Sequence, residues 1–376
     1  MNAQRVLDNF LKLVQIDSPS GEEKEMALEL KAQLEALGME VYFDDSAKDT
    51  GSNVGNLIAH LEGTGPGKLA LSSHMDTVSP GRGIKPVVGD DGIIRSEGDT
   101  ILAADDKSGV AAIIEAINSL REQDKPYPSI LVTFTVKEET GLEGAKFLSP
   151  ELFADNPLTL VADGSGPAGT LTIGAPFNYK FEYEITGKAA HAGVEPEKGI
   201  SAITVAARAI SAFDYGRIDE ESTANIGLIE GGRADNIVAQ HCKVTGECRS
   251  LNFEKLQKIK VQIQESFQRA ALEAGAQIKE DWDLECHGYR LADDDPNLDL
   301  LREAGADVGI EVRTEFSGGA SDANVIAGKG ANSLVIGTGM TNYHTTDECI
   351  KIVDLENTAR FIEAVAYRVS NQAASA

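Results

Sequence analysis

Cysteine is scarce: the 376 residues contain four, Cys242, Cys248, Cys286 and Cys349, and no two form a CxxC pair. For a chain this long that excludes a disulfide framework and a thiolate zinc site. Long apolar runs are also missing, since none approaches the ~20 residues of a membrane-spanning helix. The opening MNAQRVLDNFLKLVQ has no apolar signal core and no small-residue cleavage site, so a cytoplasmic protein is expected. Basic residues are few, with 34 Lys and Arg against 60 Asp and Glu and a net charge of -26. Phosphate backbones and anionic membrane surfaces need basic patches, so neither nucleic acid nor a membrane is an expected partner. No GxGxxG links a strand to a helix, and no GxSxG offers a nucleophilic serine. Internal repeats and low-complexity segments are absent as well.

What is present is a chain long enough for two domains, with ordinary apolar content and abundant glycine. The acid excess serves solubility in bulk, and part of it is available to gather around cations. Near the start, Val6, Leu7, Phe10, Leu11 and Val14 fall at helical spacing. In SPSGEEKEMALELKAQLEALG, Ser20 with Glu23 three residues on predicts a capping box, and Gly38 a helix stop. Short apolar strands follow in NVGNLIAHLEG, KLALSSHMDT, SILVTFTVKEE and LTLVADGS, with a helix over about 107–120 between them. Alternating strands and helices predict an α/β sheet sandwiched by helices. Open sheets of that kind bind ligands beyond the carboxyl ends of their strands.

The texture changes near Phe177. FNYKFEYEITG, a helix over 201–213, TANIGLIEGG, HCKVTGECRSL, a helix over 253–274 and QIKEDWDLECHGYR give a β-α-β-β-α-β order, the ferredoxin-like signature. The α/β texture resumes after DDDPNLD with a helix over 298–304, the strands EVRTEF and SLVIGTG, and a closing helix over 355–369. The expected organisation is a catalytic domain in two parts, 1–176 and 290–376, with an inserted α+β lid over 177–289.

Five segments carry chemistry. In SSHMDTVSPG, His74 and Asp76 lie two apart at a strand end, where alternation puts them on one side. A histidine there can ligate a metal while the carboxylate orients it, although a lone HxD says little. In GDTILAADDKSG two aspartates precede a helix. They are either caps for its free N–H groups or carboxylates able to bridge two cations. In LVTFTVKEETG, Glu138 and Glu139 close an apolar strand, where two ionised carboxylates repel unless a cation compensates. Facing opposite ways, one can bind metal and the other face substrate. Asp163 in LVADGSG and His344 in GTGMTNYHTTDE are uninformative singly. Together, two histidines and three carboxylates at strand ends supply N and O ligands without sulfur, a mix suited to Zn, Mn or Co.

These segments, in this order and over nearly the whole chain, resemble the co-catalytic di-zinc metallopeptidase superfamily of peptidase T, carboxypeptidase G and the aminoacylases. SSHMDT, AADDKSG and EET are most similar to the peptidase T branch. The resemblance implies two divalent metal ions per chain, most simply zinc. Asp105 would be shared between them, His74 and Asp163 would complete one site, and Glu139 and His344 the other. It further implies that Asp76 orients His74, that Glu138 is the general base, and that the Asp105–Asp106 peptide is cis. His191 in KAAHAG would steady the oxyanion from the lid, often across a homodimer formed through that domain. Asn236 in GGRADNIVA and Arg249 in ECRSLN are candidates to grip the substrate, and Gly318 and Gly319 in SGGASDAN resemble a substrate loop. Ser317 stands where the tripeptidase pattern has arginine, which puts strict tripeptide specificity in doubt. The implied activity is cleavage of an amide bond in small peptides, with N-acyl amino acid deacylation at the same metals as the alternative. A non-catalytic peptide-binding relative would be expected to lack a ligand or the base, and all are present.

Overall fold

A computed structural model describes residues 1–155 and 158–375. The chain divides into two compact units, Met1–Gly174 with Leu291–Ala376, and Ala175–Arg290. Each is built from elements that the apolar periodicity foreshadows.

In the larger unit the helix Ala3–Val14 buries Val6, Phe10, Leu13 and Val14, and the Asn2 side chain caps it by accepting from the Arg5 N–H. The helix Lys24–Ala36 ends before Gly38, whose φ of 75° suits a residue without Cβ. Its start differs from expectation. Glu23 is the N-cap and makes no side-chain cap bond. The Glu23 carboxylate instead accepts the N–H groups of Gly21 and Lys137 at 2.7 and 3.1 Å, and the Ser20 hydroxyl donates to Asp76 at 2.6 Å. A capping-box spacing is thus used to brace the loops that carry other acidic residues.

The sheet of this unit has mixed pairing and is flanked by helices. At its centre, Lys68–His74 runs parallel to Ser129–Thr135 on one side and Thr159–Ser165 on the other. Ser333–Thr341 runs parallel to Thr159–Ser165 in turn. All but the first residue of Lys68–His74 and of Ser129–Thr135 are buried, as continuous apolar runs covered on both faces require. Four parallel strands therefore deliver their carboxyl ends to one edge.

The helix Ala104–Glu122 lies close behind them. A Cβ on Gly109 would come 1.9 Å from the Ala162 carbonyl oxygen, so only glycine lets the helix start approach the strand that bears Asp163. The reading of Asp105 and Asp106 as helix caps does not hold. Ala103 is the N-cap, without a side-chain cap bond, and both aspartates have non-helical backbone.

The smaller unit has the ferredoxin-like arrangement. Its sheet places Ser222–Gly231, His241–Ser250, Phe177–Thr186 and Gln277–Cys286 side by side, each antiparallel to its neighbour. Phe253–Ala274 packs Leu256, Ile259, Ile263 and Phe267 from one stripe into the core. The Phe267 ring stacks on Tyr183 with centroids 3.9 Å apart. Asn252 caps this helix and Gly275, at φ 68°, ends it. Among the described residues, no helix is long and apolar enough to cross a membrane.

Candidate metal centre

His74 is the last residue of its strand and is buried. Its Nε2 lies 3.0 Å from Asp105 Oδ1 and 3.8 Å from Asp163 Oδ1. On the other side, His344 Nε2 lies 3.2 Å from Asp105 Oδ2 and 2.9 Å from Glu139 Oε2. Asp105 therefore sets one oxygen against each of two histidines, His74 at the end of one strand and His344 in the turn beyond another. Ligand atoms about 2.0–2.2 Å from a tetrahedral zinc sit roughly 3.4 Å from each other, close to these separations. Donor atoms of His74, Asp105 and Glu139, and of His74, Asp106 and Asp163, lie within 4.8 Å of one another in each group.

Local backbone explains how the ligands converge. Five non-glycine residues have positive φ among those described, and four of them, Ala103, Lys137, Asn342 and His344, are in or beside these segments. Such strain is retained where surrounding contacts over-determine it, commonly at functional sites. The Asp105–Asp106 peptide is cis, as the resemblance implied. Two geometrical expectations need correction. The strand ends at His74, so alternation does not carry Asp76 to the ring; the following loop does. His74 Nδ1 lies 3.0 Å from the Asp76 main-chain oxygen and 3.4 Å from its carboxylate. Likewise the strand before Glu138 and Glu139 ends at Thr135, and a turn at Lys137, not strand alternation, separates the two carboxylates. Asp76 holds that turn, accepting the N–H groups of Glu138 and Glu139 at 2.9 and 3.3 Å.

The electrostatics call for cations. Burial pushes the carboxyls of Glu138 and Asp163 well above their usual range, and neighbouring carboxylates add to it. His344 is raised to about 10 by its contacts with Asp105 and Glu139. Burial opposes the charged form of His74, yet its contacts with Asp105 and Asp76 leave it raised. These are the groups that divalent ions would compete for, since such ligands bind metal only when deprotonated. Asp106 Oδ1 and Asp322 Oδ1 are buried without a hydrogen-bond partner, which is costly for an acidic oxygen unless positive charge is near. The donor set and its charge fit a pair of divalent metals.

Residues 70–368 match the profile of peptidase family M20/M25/M40. The chain belongs to that family. It is 42% identical to the uncharacterised protein YqjE of Bacillus subtilis over 366 residues, which span 97% of this chain and 98% of that one. The aminopeptidase PepT of Bacillus cereus superposes with a TM-score of 0.95 at 41% identity, covering 98% of this chain and 99% of the other. A tripeptidase of Staphylococcus aureus gives 0.94 at 38%, over 99% and 100%. This M20/M25/M40 chain is accordingly a metallopeptidase, a hydrolase of amide bonds.

The remaining expected site residues of the M20/M25/M40 chain are placed as follows. In the smaller unit His191 and Asn236 stand on neighbouring segments. The Ala192 N–H donates to the Asn236 main-chain oxygen at 3.0 Å, and both residues are exposed. Arg249 is only partly exposed, and Glu247 holds its guanidinium at 3.1 and 2.8 Å, an ion pair within the unit. In the larger unit Gly318 and Gly319 form an exposed turn fastened by the Gly319 N–H to Ser317 Oγ at 2.9 Å. Sequence reasoning missed Asp322, which is buried, accepts from Thr135 and is raised to about 6 by burial. It also missed Lys107, whose ammonium donates to the Ile16 oxygen at 2.7 Å and is brought to about 7 by burial. Both lie within quoted motifs, but only their burial distinguishes them.

Proposed function

We propose that this protein cleaves the peptide bond of small unblocked peptides, in the manner of the aminopeptidase and tripeptidase it is similar to, with two zinc ions per chain. The observation that carries this reading is Asp105, with an oxygen against each histidine. Asp105 is read as shared, with His74 and Asp163 holding one ion and Glu139 and His344 the other; manganese or cobalt suits the same donors. The ions, when bound, supply Lewis-acid polarisation of the scissile carbonyl and a more acidic attacking water. Glu138 takes the proton of that water and passes it to the leaving nitrogen. Asp76 keeps His74 and the Glu138 turn in place. His191 contributes a hydrogen bond to the oxyanion from the smaller unit. Asn236, the Gly318–Gly319 turn and Arg249 hold the substrate, Arg249 once its pair with Glu247 opens. Ser317 leaves room at the turn for peptides of more than one length.

The test is a panel of di-, tri- and N-acylated substrates with and without chelator. Chelator-sensitive cleavage of unblocked di- and tripeptides is expected. Turnover confined to N-acylated amino acids would move the assignment to a deacylase with the same metals.

The smaller unit is also read as a dimerisation element. The strand Gly216–Arg217 covers only Thr223 and Ala224 of one edge, leaving the exposed Leu228 and Ile229 on an open stretch that favours pairing with a second copy. Sedimentation should give the mass of two chains, and the mass of one would reject this. The cytoplasm is the proposed compartment, in keeping with four free cysteines.

A further inference from the structure

The loop that presents Asp105 runs through Ala103 at φ 61° and offers the N–H groups of Leu102, Ala103 and Asp105. One side chain collects them. Glu348 is buried, and its Oε2 accepts the N–H groups of Leu102 and Ala103 at 2.7 and 2.8 Å while Oε1 accepts that of Asp105 at 2.9 Å. Glu348 lies four residues after His344, in the same segment. The carboxylate therefore ties the backbone of one metal-binding residue to the segment that carries another.

The other half of the centre is fastened separately. The buried Asp106 accepts from Ser73 and from the His74 N–H at 3.3 Å, which ties the aspartate pair to the strand of His74. Asp105 thus has two independent attachments, Asp106 towards His74 and Glu348 towards His344.

We infer that Glu348 is a positioning residue that sets the spacing of Asp105 and His344, and with it the metal position completed by Glu139. This rests on the two-metal reading above and deepens it. A neutral amide of the same size cannot reproduce the bonds. If its oxygen keeps Leu102 and Ala103, its NH₂ faces the Asp105 N–H and releases that residue. The attachment through Asp106 is left unchanged.

The experiment is equilibrium dialysis of the full chain against buffered zinc, with bound metal counted, for the native protein and Glu348→Gln. Thermal unfolding of both metal-free proteins checks that the variant folds. If it does not, Glu348→Asp, which keeps the charge but shortens its reach, is read in its place. At a free zinc concentration where the native chain holds two ions, the variant is expected to hold one. Its weaker ion should require at least about tenfold more zinc, the scale seen when a residue supporting metal ligands is lost. A general destabilisation would not separate the two ions. Retention of both ions, or equal weakening of both, overturns the inference while leaving the two-metal reading intact. A native chain that binds no zinc overturns both.

Discussion

Replacing Glu138 by glutamine is expected to lower kcat by about 10²–10⁴-fold, the usual contribution of a general acid–base group, with two metal ions still bound. Glutamine has nearly the same volume, and the turn that carries it is held through main-chain bonds to Asp76, so the substitution removes proton affinity and little else. KM should change little, because proton transfer belongs to the transition state. Steady-state kinetics on a tripeptide, with metal counted on the same sample, checks both halves. Turnover within tenfold of the native value would remove Glu138 from the role of base.

The second large effect is expected at Asp105. Alanine there should strip both ions during dialysis and abolish turnover, whereas Glu139→Ala should release one ion more readily than the other. The asymmetry follows from geometry. Asp105 faces His74 with one oxygen and His344 with the other, while Glu139 contacts His344 alone of the two histidines. Without Asp105 each position keeps two protein ligands, fewer than the three a catalytic zinc usually requires. The metal-free Asp105→Ala chain should still fold, since it loses a carboxylate from a crowded acidic cluster. Metal counting beside thermal unfolding reads this directly. A variant that keeps both ions would refute the sharing of Asp105.

Much of this centre is legible in the sequence because a parallel sheet converts chain position into place. The apolar runs that lead into His74, Glu138 and Asp163 are parallel neighbours whose carboxyl ends lie at one edge, so residues far apart in the chain can be gathered from the sequence alone. The inserted ferredoxin-like unit is legible for a similar reason, since the alternating period of FNYKFEYEITG differs visibly from the buried strands before it. What escapes is the bracing. Glu23 and Glu348, and Asp76 beyond its expected place beside His74, act by accepting main-chain N–H groups, and such bonds leave no periodicity or motif. Ser20 and Glu23 show how this misleads: their spacing matches a helix cap, yet burial draws Glu23 to Lys137 and Ser20 to Asp76. Arg249 shows the same limit. This strand arginine has an acidic neighbour two residues away on the same face, and the local pair forms, a contact that no motif announces.

Crystals of the native chain grown with zinc, with data collected at the zinc absorption edge, test the central claim most directly. The account predicts two anomalous peaks per chain about 3.5–4 Å apart. Asp105 should lie between them, with His74 and Asp163 at one and Glu139 and His344 at the other. A single peak, peaks remote from Asp105, or none would contradict it.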